Sequence, residues 1–190
     1  MRPAEPIVID NFTPIAHQLR EDALASEFID WEGHDGEIYR RVCIKELPGI
    51  QYRIERVMGS VKMMGMGYRL NFNSEPPNAA IHSDLGWGTH ALVLYLSEGE
   101  GGTAFWRHKM TGLEHLKAGQ VAEWEAVRDD WNSVDAWTMT NMVDIKFNRA
   151  VIYDGSRFHS RWPFEAFGTD AQSGRLIAVA FFTPESVATP

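Results

Sequence analysis

The feature that most constrains the fold is a series of short segments rich in β-branched and aromatic residues, which begins at Tyr68 and continues towards the C-terminus. Gly, Pro, Asn and Asp separate the segments, as they separate the strands of an antiparallel sandwich or barrel. The segments cover residues 68–72, 79–82, 91–96, 103–106, 143–147, 150–153 and 176–182. Segments 91–96 and 176–182 are continuous in apolar residues, which predicts central strands buried on both faces.

The first third of the chain is instead predicted to be helical. Thr13 and Pro14 are residue types that begin a helix, and apolar residues then recur at positions 15, 19 and 23. A second apolar stripe occupies positions 50, 54, 57, 61 and 64, and Gly65 and Gly67 are predicted to end that helix. The pattern therefore predicts a mostly β fold with helices packed outside the β core.

The chain shows no repeat and no Gly/Ser-rich linker, which predicts a single domain over residues 1–190. Within it, residues 1–66 are expected to form a helical N-terminal support and residues 67–183 the β core. A charged, Trp-rich insertion at about residues 116–140 interrupts the strands and is predicted to be helical or irregular.

Charge and cysteine content exclude several classes of protein. Lys and Arg number 18 and Asp and Glu 26, so the net charge of −8 argues against nucleic acid as a partner. The longest apolar run has seven residues, far fewer than the roughly 18–20 of a membrane helix. The N-terminal sequence lacks the apolar core of a signal peptide. Because Cys43 is the only cysteine, an intrachain disulfide is excluded, and a reducing, cytoplasmic location is expected.

The sharpest local motif is His82-Ser83-Asp84. On an extended chain, residues two apart point to the same face, so His82 and Asp84 can reach one metal ion. Redox-active iron sites combine two His and one carboxylate on one face and leave the opposite positions open. His159, which follows a buried-looking strand, is the candidate third ligand. A His-x-Asp tripeptide also occurs on surface turns, so the motif alone leaves that alternative open.

Basic residues near the later strands are candidates for binding anions. Arg175 precedes the apolar segment 176–182 and could present its planar guanidinium to a carboxylate in an apolar pocket, or lie on the surface. Arg157 and Arg161 flank His159 and could bind an acidic substrate group or face solvent.

The order of these motifs resembles that of the iron(II)/2-oxoglutarate-dependent dioxygenases, nearest to the prolyl-hydroxylase-like branch. The matching elements are His82-x-Asp84, Tyr-Leu-Ser with Gly-Gly-Thr-x-Phe, His159 and Arg175, over roughly residues 67–183. The resemblance implies a double-stranded β-helix, or jelly roll, flanked by N-terminal α-helices. It implies that His82, Asp84 and His159 bind Fe(II), and that Arg175 and Tyr95 hold the far carboxylate of 2-oxoglutarate.

Two departures from the family pattern stand out. Arg175 follows His159 by more residues than usual, so residues 164–174 must bulge outwards for Arg175 to reach the pocket. Phe72 stands where the family often has a tyrosine, which removes one hydrogen bond to the cosubstrate. Asp84 is present, whereas related halogenases lack this carboxylate, so the resemblance favours hydroxylation over halogenation.

The resemblance implies an oxygenase that uses Fe(II), 2-oxoglutarate and O₂ to hydroxylate a C–H bond of a peptidyl or small-molecule substrate. A cupin-like metal enzyme that does not use 2-oxoglutarate, or a non-catalytic jelly-roll binding module, would share part of the pattern. The Trp residues of the insertion could form a lid over the substrate or a structural strut, and the sequence does not indicate an oligomeric state.

Overall fold

Ten strands and three short helices make up the described part of the computed structural model, which covers residues 4–32, 38–74, 80–117 and 119–185. The strands are β1 (Ile7–Ile9), β2 (Ile29–Glu32), β3 (Ile38–Ile44), β4 (Val61–Asn71), β5 (His90–Tyr95), β6 (Gly102–His108), β7 (Trp137–Asp144), β8 (Ala150–Asp154), β9 (His159–Trp162) and β10 (Arg175–Pro184). The helices are α1 (Ala16–Leu24), α2 (Ile50–Met58) and α3 (Val121–Arg128), with a 3₁₀ turn at Val134–Ala136. The chain is mostly β, as the strand pattern predicts.

The strands form two antiparallel sheets. The larger sheet has the order β1-β8-β5-β10-β4-β3-β2, and the smaller sheet has the order β7-β6-β9. One buried cluster contains Val93, Tyr95 and Ile177 from the larger sheet together with Phe105 and Val143 from the smaller one. The two sheets therefore pack face to face at one end, and the site described below lies between them.

The central position of the two apolar strands is confirmed. β10 pairs with β4 on one side and with β5 on the other. Its side chains alternate between the two faces of the sheet: Leu176, Ala178 and Phe182 belong to the core under the helices, and Ile177 faces the smaller sheet. Because both faces are covered, apolar residues are required at every position, which explains why the strand shows no alternation in the sequence.

The predicted first helix is present and covers the outer face of the larger sheet. Leu19 and Ala23 of α1 are buried in the same core cluster as Ile50 and Ile54 of α2. The prediction that the first third is helical is nevertheless wrong in part, because β1, β2, β3 and the start of β4 also lie in residues 1–66. These strands extend the larger sheet at its edges, and their short, mixed sequences carry little periodic signal.

The second helix ends earlier than predicted. α2 stops at Met58, and Gly59 follows with a φ of 77°, a conformation that glycine adopts without strain. The chain then enters β4 at Val61, which pairs with Pro184 at the far end of β10. The apolar residues Val61 and Met64 therefore belong to a strand and not to the helical stripe, since long-range pairing with β10 overrides the local pattern.

The insertion, expected at about residues 116–140, connects β6 to β7 and contains α3 and the 3₁₀ turn. Val127 and Trp137 are buried against Trp106 and Phe158 in a third apolar cluster. His108 is fully buried, and its Nε2 lies 2.9 Å from Oδ2 of Asp130 in the insertion. None of the helices in the described part of the chain has the length and apolar character that a membrane span requires.

Candidate metal centre and adjoining cavity

Three candidate ligands are brought together where β9 begins. The backbone N–H of His82 donates to the carbonyl of His159 (3.0 Å), and the N–H of His159 donates back to His82 (2.9 Å). Residue 79 of the predicted strand 79–82 lies outside the described residues, and His82 forms only this isolated bridge. Asp84 follows in the next loop, where its N–H donates to the carbonyl of Gly155. Backbone pairing between distant segments therefore fixes all three residues.

The side chains of His82, Asp84 and His159 form one compact cluster. Each offers a ligand atom, and these atoms all lie within 4.8 Å of one another. Nε2 of His82 is 3.5 Å from Oδ1 of Asp84, and Nε2 of His159 is 3.2 Å from Oδ2. Asp84 and His159 are each 5% exposed, and His82 is half-buried. This separation suits three donors that share one cation.

Hydrogen bonds to the backbone set the tautomer of both imidazoles. Nδ1 of His82 is 2.7 Å from the carbonyl oxygen of Ala80, and Nδ1 of His159 is 2.9 Å from that of Arg157. A carbonyl oxygen only accepts hydrogen bonds, so Nδ1 carries the proton in each ring. Each Nε2 then directs its lone pair into the cluster, which is the arrangement that outer hydrogen bonds produce in metal-binding histidines.

The carboxyl group of Asp84 is charged in spite of its burial. Burial alone would raise its pKa, but electrostatic and hydrogen-bond interactions with the imidazoles of His159 and His82 hold this pKa well below the usual range. Burial lowers the pKa of His82, and the carboxylate of Asp84 outweighs this effect, so the net shift is upwards. A buried carboxylate between two imidazoles with inward lone pairs fits a divalent cation of the Fe(II) type.

Tyr153 is a fourth member of this cluster that the sequence did not single out. Its hydroxyl lies 3.1 Å from Oδ2 of Asp84 and 3.1 Å from Nε2 of His159. Burial and the negative charge of Asp84 raise its pKa far above the ordinary value, so the phenol is neutral and donates to Asp84. The sequence places Tyr153 at the end of a predicted strand, but nothing in that pattern tells which face the ring occupies.

A cavity of about 500 Å³ extends from the cluster between the two sheets. Its wall includes Arg175 of β10, which is 5% exposed and whose Nη1 is 3.4 Å from Oδ1 of Asn71. The Nε of Arg175 is buried and has no hydrogen-bond partner among the described residues. Burial, together with the positive charges of Arg161 and Arg69, lowers the pKa of Arg175 to about 10, so it remains a cation at neutral pH. The loop of residues 164–174 accommodates this placement of Arg175 at the start of β10.

Tyr95, the other predicted cosubstrate residue, lies behind the cavity wall. Its hydroxyl is 2.7 Å from Oγ1 of Thr103, and its ring is 5.8 Å from the guanidinium of Arg175. Thr103 lines the cavity and Tyr95 is not among the lining residues. The sequence did not single out Thr103 or Asn71, because their roles depend on which strands become neighbours. Phe72 packs beneath the guanidinium of Arg41 at 4.3 Å and is likewise absent from the wall.

The two arginines that flank His159 have different environments. Arg157 is 3% exposed, donates from Nη1 to the carbonyl of Ala4 (2.8 Å) and lies 4.5 Å from the ring of Phe105. Arg161 lines the cavity and donates from Nε to the carbonyl of Phe164 (2.6 Å). Arg161 therefore faces the site, and Arg157 is held away from it. Arg69 of β4 also lines the cavity and was not anticipated.

Comparison with known proteins gives a family and a set of similar structures. A model of a family of unknown function, DUF6445, matches residues 81–182. A search of the curated proteins found no match.

Three solved structures illustrate the similarity of fold. The non-haem α-ketoglutarate-dependent carbocyclase SnoK from nogalamycin biosynthesis has a TM-score of 0.58 at 12% identity, over 94% of this chain and 79% of that chain. The non-haem α-ketoglutarate-dependent epimerase SnoN, from the same biosynthesis, has a TM-score of 0.53 at 13% identity, over 96% and 82%. HygX from Streptomyces hygroscopicus, with nickel and 2-oxoglutarate bound, has a TM-score of 0.52 at 12% identity, over 95% and 83%. The chain therefore shares its fold with non-haem 2-oxoglutarate-dependent enzymes.

Proposed function

We propose that this chain, which belongs to the DUF6445 family of unknown function, is an iron(II)- and 2-oxoglutarate-dependent oxygenase. The observation that carries the proposal is a single cavity with two complementary ends. At one end the Nε2 atoms of His82 and His159 and the carboxylate of Asp84 converge within 4.8 Å of one another, and at the other the buried guanidinium of Arg175 has a vacant donor. A metal ion and a dicarboxylate together would satisfy both ends.

Each residue of the site has a role in this proposal. His82, Asp84 and His159 hold Fe(II), and Arg175 binds the far carboxylate of 2-oxoglutarate with help from the polar groups of Asn71 and Thr103. Tyr95 acts indirectly, because its hydroxyl fixes Thr103 and its ring lies beside Arg175. When bound, iron with 2-oxoglutarate and O₂ supplies the oxidation of a substrate C–H bond, coupled to release of succinate and CO₂.

The protein's own task is to position the substrate and to exclude water. The cavity wall contributes apolar side chains from β10, namely Ile177, Val179 and Phe181, which keep the reacting region dry. We propose hydroxylation of a small-molecule or peptidyl substrate as the outcome. SnoN and SnoK, which share the fold, are an α-ketoglutarate-dependent epimerase and carbocyclase, so an outcome other than hydroxylation is the alternative.

We further propose that the two sheets are the halves of a jelly-roll core in residues 67–183, within a single domain flanked by the N-terminal helices. The motif order supports the prolyl-hydroxylase-like branch as the nearest relative, and the single free Cys43 supports a reducing, cytoplasmic location. The buried guanidinium of Arg175 argues against a cupin-like enzyme without 2-oxoglutarate, because such an enzyme would not need a carboxylate-binding group there.

Oxygen-dependent succinate formation tests the proposal. Purified protein loaded with Fe(II) and given 2-oxoglutarate should produce succinate slowly in air without added substrate, and should produce none under argon. The Asp129→Ala variant, which alters a carboxylate whose side chain is 89% exposed, serves as a matched control for Asp84→Ala. Succinate formation that is absent from the wild type, or retained in Asp84→Ala, would contradict the proposed function.

A further inference from the structure

The cavity contains more positive charge than the cosubstrate requires. Arg69 and Arg161 line the same cavity as Arg175, and Arg40 lies at the exposed rim. Register places Arg69 of β4 opposite Ile177 of β10, and Arg161 of β9 opposite Thr103 of β6. The guanidinium groups therefore enter the cavity from both sheets.

The positive charges act on one another across this space. The charges of Arg161 and Arg69 both contribute to the lowered pKa of Arg175. Among the described residues, Asp84 is the only acidic side chain in the cavity wall, and it is held between the two imidazoles. A cavity lined by such a set of charges favours an anionic ligand.

The charge of 2-oxoglutarate accounts for only part of this set. Fe(II) with Asp84 has a net charge of +1, and Arg175 adds another, which together balance the two carboxylates of 2-oxoglutarate. Arg69 and Arg161 add two further positive charges to the wall. Arg69 lies 5.4 Å from the ring of Tyr39, and Arg161 donates to Phe164, so contacts with the protein hold both guanidinium groups in position.

An independent observation comes from the insertion. The indole Nε1 of Trp131 is buried and has no hydrogen-bond partner among the described residues, and its side chain lines the cavity. The carbonyl of Trp131 accepts from the N–H of Ile81 (3.0 Å), and Oδ1 of Asn132 accepts from the N–H of Ala80 (3.0 Å). These bonds attach the backbone at Trp131 and the side chain of Asn132 to the segment that carries His82. An N–H group can only donate, so it requires an acceptor from the ligand.

We infer that the primary substrate is a small anionic molecule, bearing a carboxylate or phosphate group that Arg69, Arg161 and the indole N–H of Trp131 bind beside 2-oxoglutarate. The inference rests on the proposed function for the identity of the cosubstrate. The volume of about 500 Å³ lies in the range of small-molecule pockets, roughly 300–1,000 Å³. All three protein groups are donors, which matches an acceptor-rich anion and discriminates against its neutral analogue.

Calorimetry on the protein loaded anaerobically with Fe(II) and 2-oxoglutarate tests this inference. The probes are phenylacetate, phenyl phosphate and the neutral phenylacetamide. At least one anion should bind in the presence of 2-oxoglutarate, and the amide should bind at least tenfold more weakly. Whichever anion binds more tightly identifies the preferred group as a carboxylate or a phosphate.

Variants assign the binding to the three residues. Arg69→Gln and Arg161→Gln should each weaken anion binding by about tenfold or more, and Trp131→Phe by a smaller factor, since each loses a hydrogen bond to a charged group. Affinity for 2-oxoglutarate should stay within about threefold in each. Arg128→Gln makes the same change of charge on the exposed face of α3 and should have no effect.

The results that would overturn the inference are distinct from those that would overturn the proposed function. Absence of anion binding, equal binding of the amide, or anion affinity unchanged in both arginine variants would contradict it. Anion binding that occurs only without 2-oxoglutarate and disappears in Arg175→Gln would show that the arginines serve the cosubstrate alone. Much tighter binding of a glutamate-rich peptide would contradict the assignment to a small molecule.

Failure to bind 2-oxoglutarate would instead count against the proposed function. In that case the anion titration can still be measured on the metal-free protein.

Discussion

At the scale of single residues, the ring nitrogens of His82 and His159 matter most. Both Nδ1 atoms are engaged by carbonyl oxygens two residues earlier in the chain, those of Ala80 and Arg157. The same local geometry recurs at two distant sites and orients each Nε2 before any ion arrives. Such preorganisation lowers the cost of binding, because the side chains need little further ordering.

Asp84 supplies the negative charge of the proposed metal centre. Asp84→Ala should abolish Fe(II) binding and succinate formation, because two imidazoles alone bind Fe(II) weakly and leave its charge unbalanced. His159→Ala should have the same effect, and iron content per chain checks both. Asp129→Ala should retain wild-type iron content. Normal iron content and turnover in either site variant would show that the triad is wrong.

Arg175 is expected to bind 2-oxoglutarate, and its buried charge is expected to lower the stability of the apoprotein. Arg175→Met should weaken 2-oxoglutarate binding by about 2–5 kcal/mol, because it removes a buried charged donor. The melting temperature of the apoprotein should not fall, since among the described residues no acidic group pairs with this buried charge. Arg175→Lys keeps the charge without the planar fork and should bind 2-oxoglutarate with intermediate affinity. If Arg175→Met bound 2-oxoglutarate within a few-fold of the wild-type affinity, another residue would have to bind its far carboxylate.

Tyr153 positions the carboxylate of Asp84. Tyr153→Phe removes the hydroxyl that donates to Oδ2 and should lower metal affinity by about 10–100-fold, as is typical when a partner of a ligand is lost. A competition titration with Co(II), read from its visible spectrum, measures this affinity and reports a change in ligand geometry. Tyr52→Phe, on the 59%-exposed Tyr52, is the matched control. Unchanged affinity and spectrum would restrict Tyr153 to a packing role.

Site residues could be predicted from the sequence where a local motif identifies them. The spacing of His82 and Asp84, and Arg175 before an apolar strand, predicted groups that the structure places in one cavity. Thr103, Arg69 and Tyr153 could not be found in this way, because their positions depend on the register between strands far apart in the chain. For the same reason, the sequence could not show that Thr103 lines the cavity whereas Tyr95 does not.

At the scale of elements, the insertion packs against the β core and also contributes to the cavity wall. Val127 and Trp137 are buried in the third apolar cluster, while Trp131 lines the cavity and Trp124 is 39% exposed. The backbone bonds to Ala80 and Ile81 attach the insertion directly to the segment that carries His82. These contacts favour a structural strut that also forms one wall of the site.

Deletion distinguishes the strut from a lid. Replacement of residues 120–133 by a short Gly-Ser linker should lower the melting temperature by many degrees or yield insoluble protein, because it removes Val127 and exposes Trp137 and Phe158. Trp124→Ala, at an exposed position of the same segment, should be tolerated and serves as the control. A soluble deletion variant that melts near the wild type and still converts 2-oxoglutarate to succinate would instead identify a lid.

Element boundaries show where sequence patterns stop being informative. The prediction of a helix to Met64 failed because Val61 and Met64 fit a helical stripe as well as they fit β4, and pairing with β10 decided between the two. β9 was not predicted at all, since His159–Trp162 is short and polar. Its strand conformation comes from pairing with β6, which local propensity does not encode.

At the scale of the whole molecule, the charge is distributed unevenly. The chain carries a net charge of −8, yet its internal cavity is lined by arginines. Overall composition therefore describes the average charge of the chain and does not describe the site. The mostly β class could be predicted from the short strand segments and the turn residues between them. The basic cavity could not, because it forms only when β4, β9 and β10 surround one space.

An anaerobic titration followed by visible absorption tests most directly whether one cavity binds iron and 2-oxoglutarate together. Resemblance to the 2-oxoglutarate-dependent family implies a weak charge-transfer band when the keto acid chelates Fe(II). We predict that this band forms with one equivalent of each in the wild type, is absent from Asp84→Ala, and requires more 2-oxoglutarate in Arg175→Met. A wild-type protein that shows no band at saturating Fe(II) and 2-oxoglutarate would contradict the account.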